Sequence, residues 1–119
     1  MIAQKELVLR EGFWHGGYEK GLPKPISLER AWTGKKEFLK ALTKVESRAR
    51  RNLYRGWSTC RVCEKKNGSA EFSIRMFSMK WMWPCGFAHY VKEHNVRPSL
   101  AFQTFITEAA NTLREKEKK

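Results

Sequence analysis

All three cysteines and two of the three histidines of this chain fall within residues 57–98. Cys60 and Cys63 are separated by two residues, and Cys85, His89 and His94 follow a Trp81/Trp83 run. Thiols and imidazoles gathered in this way are the mark of a bound metal, and Zn2+ is the default occupant because its four-coordinate sites take these donors. Four side chains that must meet on one ion restrict the paths open to the backbone between them. The chain has 119 residues, enough for one domain with a modest core, and a structural metal adds most at that size.

Two ligand sets satisfy the count. Cys60 and Cys63 chelate from one tight turn in both. In the first set His89 and His94 complete a C-x2-C-x25-H-x4-H pattern; its last spacing matches that of zinc fingers, while its central gap is longer than a finger loop. Histidines five apart diverge on a regular helix, so this set requires the helix to loosen before His94. In the second set Cys85 and His89 lie four apart on one helical face, with Cys85 at a helix N-terminus, where a thiolate is favoured.

Taken in order, residues 1–26 read as an N-terminal arm, with a short strand at Glu6-Leu7-Val8-Leu9 and then glycines, Pro23 and Pro25. Its aromatic residues Phe13, Trp14 and Tyr18 argue that it lies on the body, and His15 is a lone histidine read as packing or solvent contact. Residues 27–119 read as a single zinc-binding domain. Phe38, Leu39, Leu42, Val45, Ala49 and Leu53 recur at steps of three and four, which predicts a helix over 35–55. Asn67-Gly68 is a strong hairpin signal, since both residues tolerate positive φ. Phe72 and Ile74, then Met79, Trp81 and Trp83, alternate with other residues as strands do, predicting a small antiparallel sheet over about 58–83. Pro84 is placed to open a helix running to about His94, and Pro98 opens a C-terminal helix over 98–115. The expected fold is therefore α+β: a zinc-stapled ββα-like core over 57–98, flanked by two helices.

Charge bears on the partner. Lys and Arg number 24 against 12 acids, all of them Glu, for a net charge of +12. Such a surface suits polyanions. Lys36, Lys40, Lys44, Arg48, Arg51 and Arg55 fall opposite the apolar stripe of the 35–55 helix, and hardly any acid accompanies them. Solvated faces normally mix signs to form i,i+4 pairs. Two partner classes follow: nucleic acid, RNA or DNA, along this face, or an acidic protein surface to which a zinc-stabilised interaction module displays its helices. Trp81 and Trp83 read as core before they read as a base-stacking platform. No apolar run reaches the ~20 residues of a membrane span, and the N-terminus lacks a signal-peptide layout. Three cysteines, an odd number, suit a reducing compartment. The expectation is a cytoplasmic protein.

Catalysis has little support from the motifs. His89-x-x-x-Glu93-His94 matches neither zincin pattern, and the deaminase order H-x-E…P-C-x-x-C is absent. A ββα metal-dependent nuclease is the strongest enzyme reading, with His94-Asn95 a superficial match. That reading lacks an Asp to bind Mg2+, for the chain has none.

The pattern Cys60-x-x-Cys63, Asn67-Gly68-Ser69-x-Glu71, then Trp83-Pro84-x-Gly86-x-x-His89-Tyr90-Val91-x-x-His94-x-Val96-x-Pro98 resembles a small, functionally uncharacterised family of short bacterial and phage proteins. The resemblance covers residues 57–106. It implies Cys60, Cys63, His89 and His94 as the ligands, with Cys85 a bystander or local substitute, and it implies no activity.

Overall fold

The alternating apolar residues of the middle of the chain do form strands, and these order the rest. The computed structural model describes residues 7–13, 25–60 and 62–118, the side chains of 54–58 and 67 excepted. His15, Trp14, Tyr18 and most of the 1–26 arm lie outside the described residues. The elements run β1 (Leu7–Arg10), α1 (Lys35–Glu46), β2 (Arg50–Thr59), β3 (Lys66–Met76), β4 (Met79–Pro84), α2 (Phe87–His94) and α3 (Leu100–Glu117). The fold is α+β, a four-stranded sheet in the order β1-β4-β3-β2 with three helices.

β2, β3 and β4 pair antiparallel, as expected, but β1 joins β4 in parallel, so the sheet is mixed. The short strand of the arm is thus an edge strand of the domain. Glu11 continues that attachment: its N–H donates to the Met82 carbonyl, and its carboxylate accepts from the N–H and Oγ of Ser99 at 2.8 Å each. Ser99 in turn caps α3, its Oγ accepting from the Phe102 N–H. A carboxylate there also opposes the positive end of the helix dipole. The last helix therefore begins at Leu100, just past Pro98.

One expectation fails clearly. The helix predicted over 35–55 ends at Glu46, and Arg50 to Thr59 is strand. Phe38, Ala41, Leu42 and Val45 are buried on α1 as the stripe requires. The apolar spacing continues through Ala49 and Leu53, but Leu53 lies on β2 and is 74% exposed there. Ser47 Oγ donates to the Lys44 carbonyl, a local bond that competes with helix propagation. Pairing with β3 then engages the backbone of residues 50–53, 58 and 59.

Two turns also move. Asn67-Gly68 is not the hairpin loop; Gly68 pairs with Ser58 inside the sheet at a register shift. Its φ of +138° and the approach of Cys85 Sγ, 2.2 Å from where a Cβ would sit, both require glycine. Pro84 ends β4 rather than opening α2, because the Cys85 N–H still pairs with the Ala70 carbonyl.

The inner face of the sheet carries Trp81 and Trp83, both buried, against α3. Their reading as core is correct. Phe102 of α3 sits at the centre, with ring centroids 5.0 Å from Trp81, 5.4 Å from Trp83, 5.5 Å from Phe87 and 6.0 Å from Phe38. Among the described residues no helix is long and apolar enough to cross a membrane.

Candidate metal centre

The reversal between β2 and β3 is made by the Cys60–Lys65 turn. The Cys60 N–H donates to the Lys65 carbonyl at 2.8 Å, and the Glu64 N–H donates to the Cys60 carbonyl at 2.9 Å. Glu64 takes the left-handed conformation, φ 63°, to close it. The Val62 N–H points at Cys60 Sγ, 3.4 Å away. Cys60 is buried and Cys63 half-buried.

The other wall is α2. Its C-terminus is closed by Asn95 in the left-handed conformation, φ 52°, with the Val96 N–H on the Tyr90 carbonyl. Lys35 of α1 adds a second clasp, its Nζ donating to the Lys92 carbonyl and to Asn95 Oδ1. No sequence pattern signalled that lysine; it is found only once α1 lies beside α2. The helix stays intact through His94, so the loosening expected before that residue does not occur. The reach of the two imidazoles closes the gap instead: their ring centroids are 5.1 Å apart at 74°.

One ligand atom each from Cys60, Cys63, His89 and His94 lies within 4.8 Å of the others. These four are positioned to bind a metal ion. The Cys63 Sγ to His89 Nε2 distance of 3.4 Å is close to the S···N edge of about 3.5 Å in a tetrahedron with Zn–S about 2.3 Å and Zn–N about 2.0 Å. His94 Nε2 is buried with no hydrogen-bond partner among the described residues. The indole N–H groups of Trp32 and Trp81 share that condition, but they belong to the aromatic core, whereas the His94 nitrogen stands among thiols. Burial holds His89 below the ordinary histidine range, and the neighbouring His94 adds to this against the opposing pull of Glu93. The neutral imidazole that results at neutral pH is the form that ligates.

Cys85 is not in the cluster. Since α2 begins at Phe87, Cys85 lies in the turn before the helix, and the one-face argument for pairing it with His89 no longer applies. Its sulfur is turned toward Gly68.

The six basic residues singled out on one helix face are dispersed. Lys36, Lys40 and Lys44 are on α1, Arg48 in the following turn and Arg51 on β2; the side chain of Arg55 lies outside the described residues. Lys44 and Arg48 both bond the Glu117 carboxylate at the end of α3. These two contacts hold Glu117 below the ordinary carboxylate range. Lys36 and Lys40 remain exposed.

No curated protein and no solved structure matches the chain. Residues 29–107 match a family described as a domain of unknown function (DUF7919). That match takes in everything from the approach to α1 to the first half of α3, including the Cys/His cluster, and the chain belongs to this family.

Proposed function

We propose that the chain is a zinc-stapled nucleic-acid-binding module, in which Zn2+ on Cys60, Cys63, His89 and His94 fixes the frame and the basic surface takes the phosphate backbone. The observation that carries this reading is the convergence of four soft or borderline donors within 4.8 Å in a chain of net charge +12. Four protein ligands complete a tetrahedron and leave no coordination position for substrate, which is the arrangement of a structural site. Zn2+ bound there ties the β2–β3 turn to the end of α2.

The phosphate face of this reading is built on α1 and α2. Lys40 and Lys92 flank a groove of about 530 Å3 between the two helices, with Leu39, Thr43, Ala88, His89 and Glu93 along it. Lys36 is exposed one turn earlier on α1. Since the ion pairs to Glu117 engage Lys44 and Arg48, these three lysines are the better candidates for first contact with phosphate.

The test is a metal assay followed by a salt titration. The expected result is one zinc per chain, and binding to random DNA or RNA whose log affinity falls linearly with log salt. Reversing Lys36, Lys40 and Lys92 to Glu should flatten that slope by about one unit for each phosphate that is no longer neutralised. A zinc-loaded protein that binds neither polymer at micromolar concentration and low salt overturns the nucleic-acid reading and leaves an acidic protein surface as the partner.

A further inference from the structure

We infer that the tip of the β3–β4 hairpin, Phe77 with Arg75 and Lys80 behind it, is a stacking site for an unpaired base of single-stranded nucleic acid. This rests on the nucleic-acid reading above and deepens it. The pairing of Met76 with Met79 leaves a two-residue loop, Phe77-Ser78, with φ of 56° and 61°. Two consecutive left-handed residues are what a type I′ hairpin turn demands, and Asn, Asp and Gly are the residues that supply them readily. A bulky Phe opposes that conformation. Here the local sequence works against the local structure, and conflicts of this kind gather at functional sites.

Burial does not offset the conflict. Phe77 is 46% exposed, the one aromatic among the exposed large hydrophobic residues described. It meets Phe105 in a T-shaped contact with centroids 6.0 Å apart, and nearly half of the ring remains in solvent. Arg75 and Lys80 are directly paired across the two strands one step behind the turn, on the face opposite the buried Trp81. These two basic residues adjoin the Met76–Met79 pair that closes the Phe77 turn. A ring for the base and cations for the adjoining phosphates are the two parts of a sequence-tolerant single-strand site. A duplex buries its base faces and has only phosphates to offer this tip.

The competing role for Phe77 is to cover Phe105, and the two roles give opposite signs. In the zinc-loaded protein Phe77→Asn places a residue suited to the turn, so the melting temperature should hold or rise. Affinity for single-stranded dT or rU oligomers should fall by roughly 5- to 100-fold, the usual effect of removing one stacked base. Affinity for a duplex of equal length should change by less than about 2-fold, and Phe77→Trp should retain single-strand binding. A Phe77→Asn protein that melts earlier or fails to fold makes the Phe105 contact the reason for Phe77 and overturns the inference. So does single-strand affinity that the substitution leaves unchanged while the wild type binds, and in that case the broader nucleic-acid reading survives. A wild type that binds no nucleic acid at all overturns both.

Discussion

The two ends of the sheet differ in what is buried there. Beneath β4 and the second half of β3, fourteen buried residues among those described, most of them from α1, α2, α3 and β4, form one aromatic core around Phe102. At the far end of β3, where the Cys60–Lys65 turn meets the end of α2, the buried cluster among the described residues is Cys60, Tyr90 and Val96, with Cys63 against it. A large buried side chain contributes about 1.5–3 kcal/mol, while each ordered backbone residue costs about 1–2 kcal/mol. The aromatic end has many such side chains to set against that cost. The cysteine end shows little buried apolar surface among the described residues, and on the proposed reading a metal held by the four donors positioned there supplies the missing term. On that reading the domain is held at one end by packing and at the other by ligation.

The largest test of this contrast is metal removal. Chelation of the zinc-loaded protein, or Cys60→Ser, should lower the unfolding free energy by about 5 kcal/mol or more, because ligation energy is folding energy. Hydrogen exchange should show where the stability goes: amides of residues 60–66 and 92–97 should open first, while those of 102–110 stay protected. Cys85→Ser, outside the cluster, should keep one zinc per chain. Uniform loss of protection along the chain would erase the distinction between the two ends.

Next in size is the aromatic hub. Phe102→Ala leaves a cavity among four rings and should cost about 3–5 kcal/mol, measured by denaturant unfolding. Unlike metal removal, it should loosen α1, α3 and β4 together. Zinc that stays bound with wild-type affinity after this change would mean the cysteine end folds on its own.

The smallest effect belongs to a carboxyl at the edge of the aromatic core. Glu46, the last residue of α1, accepts a hydrogen bond from Trp83 Nε1 at 2.9 Å. Burial pushes its pKa from 4.5 up to about 7, although the Trp83 bond acts in the other direction. A carboxyl raised on folding holds its proton better in the folded state. Stability from this group is therefore fully present below about pH 4.5 and falls as pH rises toward 7. Glu46→Gln removes the buried charge and should stabilise the protein at pH 8, by roughly 3 kcal/mol at most. The gain should shrink steadily on acidification. Zinc-ligand protonation affects both proteins alike, so the difference in unfolding free energy between variant and wild type isolates Glu46. A gain independent of pH would show that Glu46 is not the group being titrated.

Much of this was legible without coordinates. The alternation around Phe72, Ile74, Trp81 and Trp83 marks two strands, since a period of two admits few other folds. The stripe Phe38, Leu42 and Val45 marks a helix, and the Cys60/Cys63 spacing marks a chelating turn. These signals are local: a residue and its near neighbours suffice to produce them. Net charge is likewise a property of the chain alone, and it limits the class of partner without locating a surface.

Tertiary structure decided what depends on residues distant in sequence. Periodicity alone could not stop α1 at Glu46, because the apolar spacing runs on to Leu53; the chain leaves the helix where strand pairing with β3 becomes available. Composition could not tell His94 from Cys85, because both lie near His89 in the sequence; the turn at Cys85-Gly86 and the intact α2 bring His94 to the cluster. The basic residues from Lys36 to Arg55 read as one face only while they share one helix. Once β2 carries Arg51 away and Glu117 engages Lys44 and Arg48, the face disperses. In each case the outcome is set by which non-local contacts repay the entropy of closing the chain between them, a balance that no short window of sequence contains.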